Sequence, residues 1–172
     1  MQTKSYLYGP LTRFGLVVIL VSAAADQALK LWLLRVFDIG ARQPVRVGPF
    51  IDLVLAWNTG ISFSLLPQVG PLGQWALLAV KLIAVLLLWV WLSNATSRMT
   101  ALALALIIGG AIGNGIDRVI HGAVVDFVLF HITTASWTFR WYVFNLADVA
   151  IVAGVVGLLY ESIVIRDAAK AP

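Results

Sequence analysis

The chain reads as an all-α integral membrane protein: a bundle of four transmembrane helices with a small extramembrane β-sheet between the first and second. Three observations predict this. Of the 172 residues, 61% are hydrophobic and 12% charged, against about 45–50% apolar and about 25% charged in soluble domains. Mean hydropathy is +0.95, more apolar surface than one small core can hide, which makes lipid the solvent. Four apolar stretches, at about 14–34, 72–92, 100–116 and 144–164, approach the roughly 20 residues that cross a hydrocarbon core about 30 Å thick. The size suits one domain spanning 1–172, and no internal repeat is visible.

Lys4 and Arg13 precede an apolar run at the start of the first stretch that ends in Ser22-Ala23-Ala24-Ala25, a pattern similar to a cleavable signal peptide. Three further apolar stretches follow it, so a retained helix is predicted. The connection to the second stretch is long, about 35 to 71. It carries Val45-Arg46-Val47 and then Phe50 to Trp57, rich in β-branched and aromatic residues, between Gly48-Pro49 and Asn58-Thr59-Gly60. That composition predicts short strands. An open sheet edge cannot face hydrocarbon, so this piece lies on the membrane surface or against protein. A short polar turn, Ser93 to Arg98, joins the second and third stretches. The third connection, about 117 to 143, is again long. Both long connections therefore fall on one side, where loops on a rigid scaffold tend to carry function.

The chain has no cysteine, which excludes disulfides, thiolate nucleophiles and cysteine-based zinc sites. Its formal charge is +4, but the basic residues are scattered, which argues for membrane flanks and against nucleic acid. Lys4, Arg13, Arg98, Arg166 and Lys170 flank one side; Arg35, Arg42, Arg46, Arg118 and Arg140 flank the other. Charge bias alone leaves orientation undecided. Lys81 stands midway along the second stretch with no partner evident in the sequence.

Of eight acidic residues, Asp26, Asp117, Asp148 and Glu161 lie in or at the ends of apolar stretches. A charge inside a bilayer costs at least about 2.5–3.5 kcal/mol, so each needs a reason. Asn145 and Asp148, three apart, share a helix face at the start of the fourth stretch. A carboxylate is favoured at a helix start by the dipole, which leaves the accompanying Asn145 unexplained. The third stretch ends Gly109-Gly110-Ala111-Ile112-Gly113-Asn114-Gly115-Ile116-Asp117-Arg118. Gly109 and Gly113 form a small-residue face for close helix approach. Gly110, Asn114 and Asp117 form an adjacent stripe. Asp117 beside Arg118 reads as an ion-paired structural element. Asp126 lies in a strand-like apolar run, Val124 to Val128, with no adjacent cation. Desolvation there raises a carboxyl pKa towards the range an acid or base needs near neutrality.

If Asp126 and Asp148 converge, they share one proton and titrate as a pair. One activates a water and the other protonates a scissile carbonyl, giving peptide hydrolysis without metal or cofactor. Ser62, Ser64 and Ser136 show no triad-like spacing to a His and an Asp. His121 and His131 could join Asp126 on a metal, but no ligand spacing such as H-E-x-x-H occurs. On residues alone, two other readings stay open. Intramembrane acids also mark proton-coupled transporters, against which stand the loop position of Asp126 and the lack of paired broken helices. A non-catalytic scaffold would use the glycine-rich helix and leave the carboxylates without purpose.

Taken together, the motifs resemble the lipoprotein signal peptidase (signal peptidase II) family. Asp26 to Lys30 is similar to its first-helix motif, and Asn58 to Phe63 to its N-x-G-x-x-F motif, although Ile61 stands where the family often has Ala. Gly109 to Arg118 is similar to G-G-x-x-G-N-x-x-D-R. Val124 to Phe127 and Phe144 to Asp148 resemble the segments that hold the family's catalytic aspartates. The resemblance implies a membrane aspartic endopeptidase with Asp126 and Asp148 as the catalytic pair. It implies that Asn58, Gly60, Asn114, Arg118 and Asn145 line or shape the site, supported by Asp26, Lys30 and Asp117. It implies a surface sheet cradling a prolipoprotein whose cysteine carries diacylglycerol, cleavage just before that cysteine, and inhibition by globomycin at the same site. It also implies a bacterial inner-membrane location with both termini cytoplasmic and the site near the outer face.

Overall fold

The computed structural model describes residues 7–60 and 70–168, and of residues 70–74, 76, 77 and 164–168 the backbone alone. Lys4, Lys170, Ser62, Ser64 and the Ile61–Phe63 half of the N-x-G-x-x-F motif lie outside the described residues, as does the Arg166 side chain. The elements are α1 (Thr12–Arg35), α2 (Ile39–Arg42), β1 (Val45–Arg46), β2 (Ile51–Asn58), α3 (Gly70–Ser93), α4 (Arg98–His121), β3 (Val124–Thr133), β4 (Thr138–Phe144) and α5 (Leu146–Ala168).

Among the described residues, three helices carry apolar stretches long enough to cross a membrane: Thr12–Arg35, Arg98–His121 and Leu146–Ile163. In α3, also 24 residues long, the described apolar stretch is Leu78–Ser93. The central helix is α4, with half of its span buried inside the protein against 28% for α1 and 17% for α5. The outer helices point Leu20, Val21, Leu86, Leu87, Val152 and Val156 away from the protein. Such continuous apolar faces belong in lipid. Between α1, α3 and α4 the core is Ile19, Leu92, Ala101, Leu104, Ala105 and Ile108.

The small-residue face on α4 receives α1. A Cβ on Gly113 would lie 2.8 Å from Asp26 Oδ2, so the glycine makes room for a buried carboxylate. The helix runs five residues past its predicted end near 116, to His121. The polar residues Asn114, Asp117 and Arg118 did not end it because all three turn inward and are buried. It stops at Gly122, whose φ of 71° is a left-handed conformation that glycine adopts without steric cost. At its start the Ser97 hydroxyl accepts from the Met99 and Thr100 amides, a normal N-cap.

The sheet is larger than predicted. Its order is β1-β2-β3-β4, all antiparallel. Among the described residues, the connection between the first two long helices supplies β1 and β2, and the α4–α5 connection supplies β3 and β4. A two-residue β1 beside β2 would be too small to stand alone, and β3 completes it. In that pairing Asn58 faces Val124 and Ala56 faces Asp126. Under the sheet, Leu33, Ile39 and Phe127 pack with Leu53, Leu55 and Leu146. Both long connections thus meet at one end of the bundle.

Candidate active site

Asp126 enters from β3 and Asp148 from the first turn of α5. Asp126 is 3% exposed. Its Oδ2 accepts from Asn58 Nδ2 at 3.1 Å and its Oδ1 from Asn145 Nδ2 at 2.6 Å. Burial, and then the neighbouring Asp148 charge, push its carboxyl from 3.8 up to about 6, against the opposing pull of those two hydrogen bonds. Asp148 is partly exposed. Its Oδ1 accepts from Asn114 Nδ2 at 2.8 Å and its Oδ2 from the Asn145 amide at 3.2 Å. Among the described residues, neither carboxylate forms an ion pair.

Asn145 explains its own place in the sequence. Its Oδ1 accepts from the Asp148 amide at 2.9 Å while Asp148 Oδ2 accepts from the Asn145 amide. This reciprocal pair is a capping box at the start of α5, with Asn and Asp in place of Ser and Glu. The Asn145 side-chain amide is then left to donate to Asp126 Oδ1 and, at 3.0 Å, to Asn114 Oδ1. One fully buried residue thereby starts the helix and holds both carboxylates.

Beneath lies a second polar layer. Lys30 Nζ is 2.8 Å from Asp26 Oδ2, 2.7 Å from Asp117 Oδ2 and 3.3 Å from Asn114 Oδ1, which uses all three ammonium donors. Asp26 Oδ1 accepts from the Ala147 amide at 2.9 Å, and Asp117 Oδ2 from the Val125 amide at 3.1 Å. The cluster therefore pins α1, α4, β3 and the start of α5 together. The predicted pairing of Asp117 with Arg118 is corrected: the cation on Asp117 is Lys30. Consecutive helix residues do not face each other. The Arg118 guanidinium instead donates to the Gly60 carbonyl and, at 3.4 Å, to that of Thr59. The Gly60 amide donates to Asn58 Oδ1 at 3.1 Å, so Arg118 and Asn58 fix the turn after β2.

Asn58, Asn114, Arg118, Asp126 and Asp148 line one cavity of about 540 Å³, whose other wall is mostly apolar: Val124, Trp141, Val143, Phe144, Val149 and Ile151. Two carboxyls on a shared cavity, held by neutral amides, can keep one proton between them and polarise a water and a carbonyl at once. His121 packs edge-on against Trp57, and His131 Nε2 lies 3.1 Å from Asp52 Oδ2. The histidines are engaged away from Asp126.

The family described as signal peptidase (SPase) II matches residues 18–164, a stretch that holds every residue of both polar layers. The chain belongs to the signal peptidase II family. It is 59% identical to the lipoprotein signal peptidase of Nitrobacter hamburgensis over 160 residues, 93% of this chain and 98% of that one. It is 52% identical to the lipoprotein signal peptidase of Rhodopseudomonas palustris strain TIE-1 over 160 residues, again 93% and 98%. A bacterial membrane enzyme structure obtained by the in meso method at 2.3 Å resolution shares the fold, with a TM-score of 0.71, 24% identity and 92% of each chain covered.

In this signal peptidase II member, sequence reasoning missed Gln27 as a contributor and left Lys81 without a place in the site. Gln27 Nε2 donates to Asp117 Oδ1 at 2.8 Å and to the Gly113 carbonyl at 3.0 Å. Its signal was a second polar residue beside Asp26 in an apolar stretch. Lys81 joins the cavity wall from α3. Its signal was a charge midway along a span.

Proposed function

We propose that this signal peptidase II member is a membrane aspartic endopeptidase that removes the signal peptide of diacylglyceryl-modified prolipoproteins just before the lipidated cysteine, with Asp126 and Asp148 as its catalytic pair. The observation that carries the reading is the placement of both carboxylates on one cavity, bridged by Asn145 and without an ion pair among the described residues.

The pair carries one proton and one negative charge. The ionised carboxyl takes a proton from a water, whose oxygen attacks the scissile carbonyl carbon. The protonated carboxyl gives its proton to the carbonyl oxygen. The tetrahedral intermediate then collapses: the C–N bond breaks, the new amine takes a proton from the pair, and the hydroxyl returns one to it. No metal is required. Asn58, Asn114 and Asn145 hold the carboxylates in place, Arg118 and Gly60 shape the rim, and Asp26, Lys30 and Asp117 support the floor.

In this reading α3 also spans the membrane, as the second of four transmembrane helices, both termini are cytoplasmic, and the sheet lies on the outer face of the inner membrane. The diacylglyceryl chains stay in the bilayer while the scissile bond reaches the cavity at the interface, where water is available. Globomycin inhibits by occupying the same cavity. The test is cleavage of a lipidated prolipoprotein by the purified protein in detergent with chelator present. The expected result is full turnover with chelator and none in Asp126→Asn or Asp148→Asn of unchanged helicity. Loss of turnover on chelation, or survival of it in either variant, contradicts the reading.

A further inference from the structure

Lys81 is the cation that neither polar layer accounts for. It stands midway along α3, a costly depth for an ammonium. Among the described residues it enters no ion pair. It is nevertheless partly buried and lines the cavity that holds Asp126 and Asp148. It also borders a second, apolar groove of about 400 Å³ between α3 and α4, walled by Leu78, Leu82, Val85, Ala111 and Ile112. Bordering both lets the aliphatic stem lie on apolar surface and the charged head rise towards the polar cavity.

The charged groups whose fields reach it are Arg118 of α4, Asp148 of α5, Asp126 of β3 and Lys30 of α1. Lys30 is held between Asp26 and Asp117, with Asn114 between it and Asp148. Arg118 donates to backbone carbonyls of the turn after β2. Lys81 is different: its charge reaches the carboxyl pair, yet it bonds to neither member.

We propose that Lys81 is a positioning residue of the peptidase, set in the cavity wall so that its ammonium holds the Asp126–Asp148 pair at a single negative charge. The inference rests on the reading of that pair as the catalytic acids. The apolar wall around the pair opposes its ionisation, and with both carboxyls protonated no base would remain to activate water. A cation bonded directly to a carboxylate would occupy an oxygen the reaction uses. A cation across the cavity offsets the apolar wall through its field and leaves all four oxygens to water and substrate.

The test is the pH dependence of kcat/KM for a lipidated prolipoprotein, measured on the purified full chain and on Lys81→Met, Lys81→Gln and Lys81→Arg. Removing the positive charge disfavours the anion, so both limbs of the profile move to higher pH. The neutral variants are expected to shift by about one pH unit, equivalent to about tenfold in rate on the acid limb, and to regain the wild-type rate about one unit higher. Lys81→Arg keeps the wild-type limbs. Met and Gln serve as independent neutral replacements, with helicity and melting measured for each. Limbs that stay in place in a folded neutral variant, or a rate lowered equally at every pH, overturn the inference. Asp126→Asn in the same series separates the two claims. If it turns over, the reading of the pair fails; if it is silent while the Lys81→Met limbs stay fixed, only the role of Lys81 fails.

Discussion

Two pairs of carboxylates lie in adjacent layers at the sheet end of the bundle, and they differ in what they are bonded to. Asp26 and Asp117 share the Lys30 ammonium at 2.8 and 2.7 Å. Asp126 and Asp148 share Asn145 and otherwise receive amide donors from Asn58 and Asn114. A cation balances a carboxylate's charge and occupies its oxygens. An amide fixes its direction and leaves its charge. The first pair therefore serves as an anchor between helices, and the second stays open to the cavity, as the proposed catalytic role requires. Asn114 belongs to both layers, accepting from Lys30 and donating to Asp148, so the anchor is tied directly to the cavity pair.

The widest separation between the layers is expected in turnover. Asp126→Asn and Asp148→Asn should each lower single-turnover cleavage by at least about 10³-fold, the scale of losing one member of a catalytic group. Asp117→Asn should keep measurable turnover. Equal losses from both layers would erase the distinction.

Stability should run the other way. Lys30→Met leaves two buried carboxylates without their cation, and breaking such a cluster costs about 3–5 kcal/mol. Thermal unfolding in detergent should show that loss in Lys30→Met.

A pH series sharpens the contrast. The Asp126 carboxyl is raised from 3.8 to about 6, so between those values the folded protein binds its proton more tightly than the unfolded chain does. The stability this proton contributes is complete below about pH 4 and is lost as pH rises through about 6. Relative to Asp126→Asn, the wild type should lose up to about 3 kcal/mol over that interval, at about 1.4 kcal/mol per unit. Above it, the two melting curves should run parallel. A gap that widens with falling pH would reverse the sign and refute the assignment.

Asn145→Ala gives the smallest of the four effects, and a mixed one. Loss of the cap costs about 1 kcal/mol, and loss of the bridge displaces the pair, for about 100-fold in kcat. Melting and kinetics on the same sample measure both.

Much of this was legible in the sequence because lipid imposes simple rules. Apolar length marked the helices, and rare acids in apolar runs marked the polar layers. Three things were not legible. The end of α4 was set too early because Asn114, Asp117 and Arg118 read as a polar exit, whereas each has a buried partner on another element. The run Val124 to Val128 read as strand-like and forms the first half of β3, but its partner β4, Thr138–Phe144, was hidden: it is largely exposed and shows no alternation of buried and exposed residues. Its strand character comes from pairing with β3. The Asn145–Asp148 spacing was seen, but its meaning as a capping box needed the backbone amides of α5.

The most direct test of a shared proton is the wild-type pH profile of kcat/KM for a lipidated prolipoprotein. A shared proton gives a bell, falling on the acid side as the pair takes up a second proton and on the alkaline side as it gives up its only one. Activity that rises through a single ionisation and then stays level into alkaline solution would contradict it.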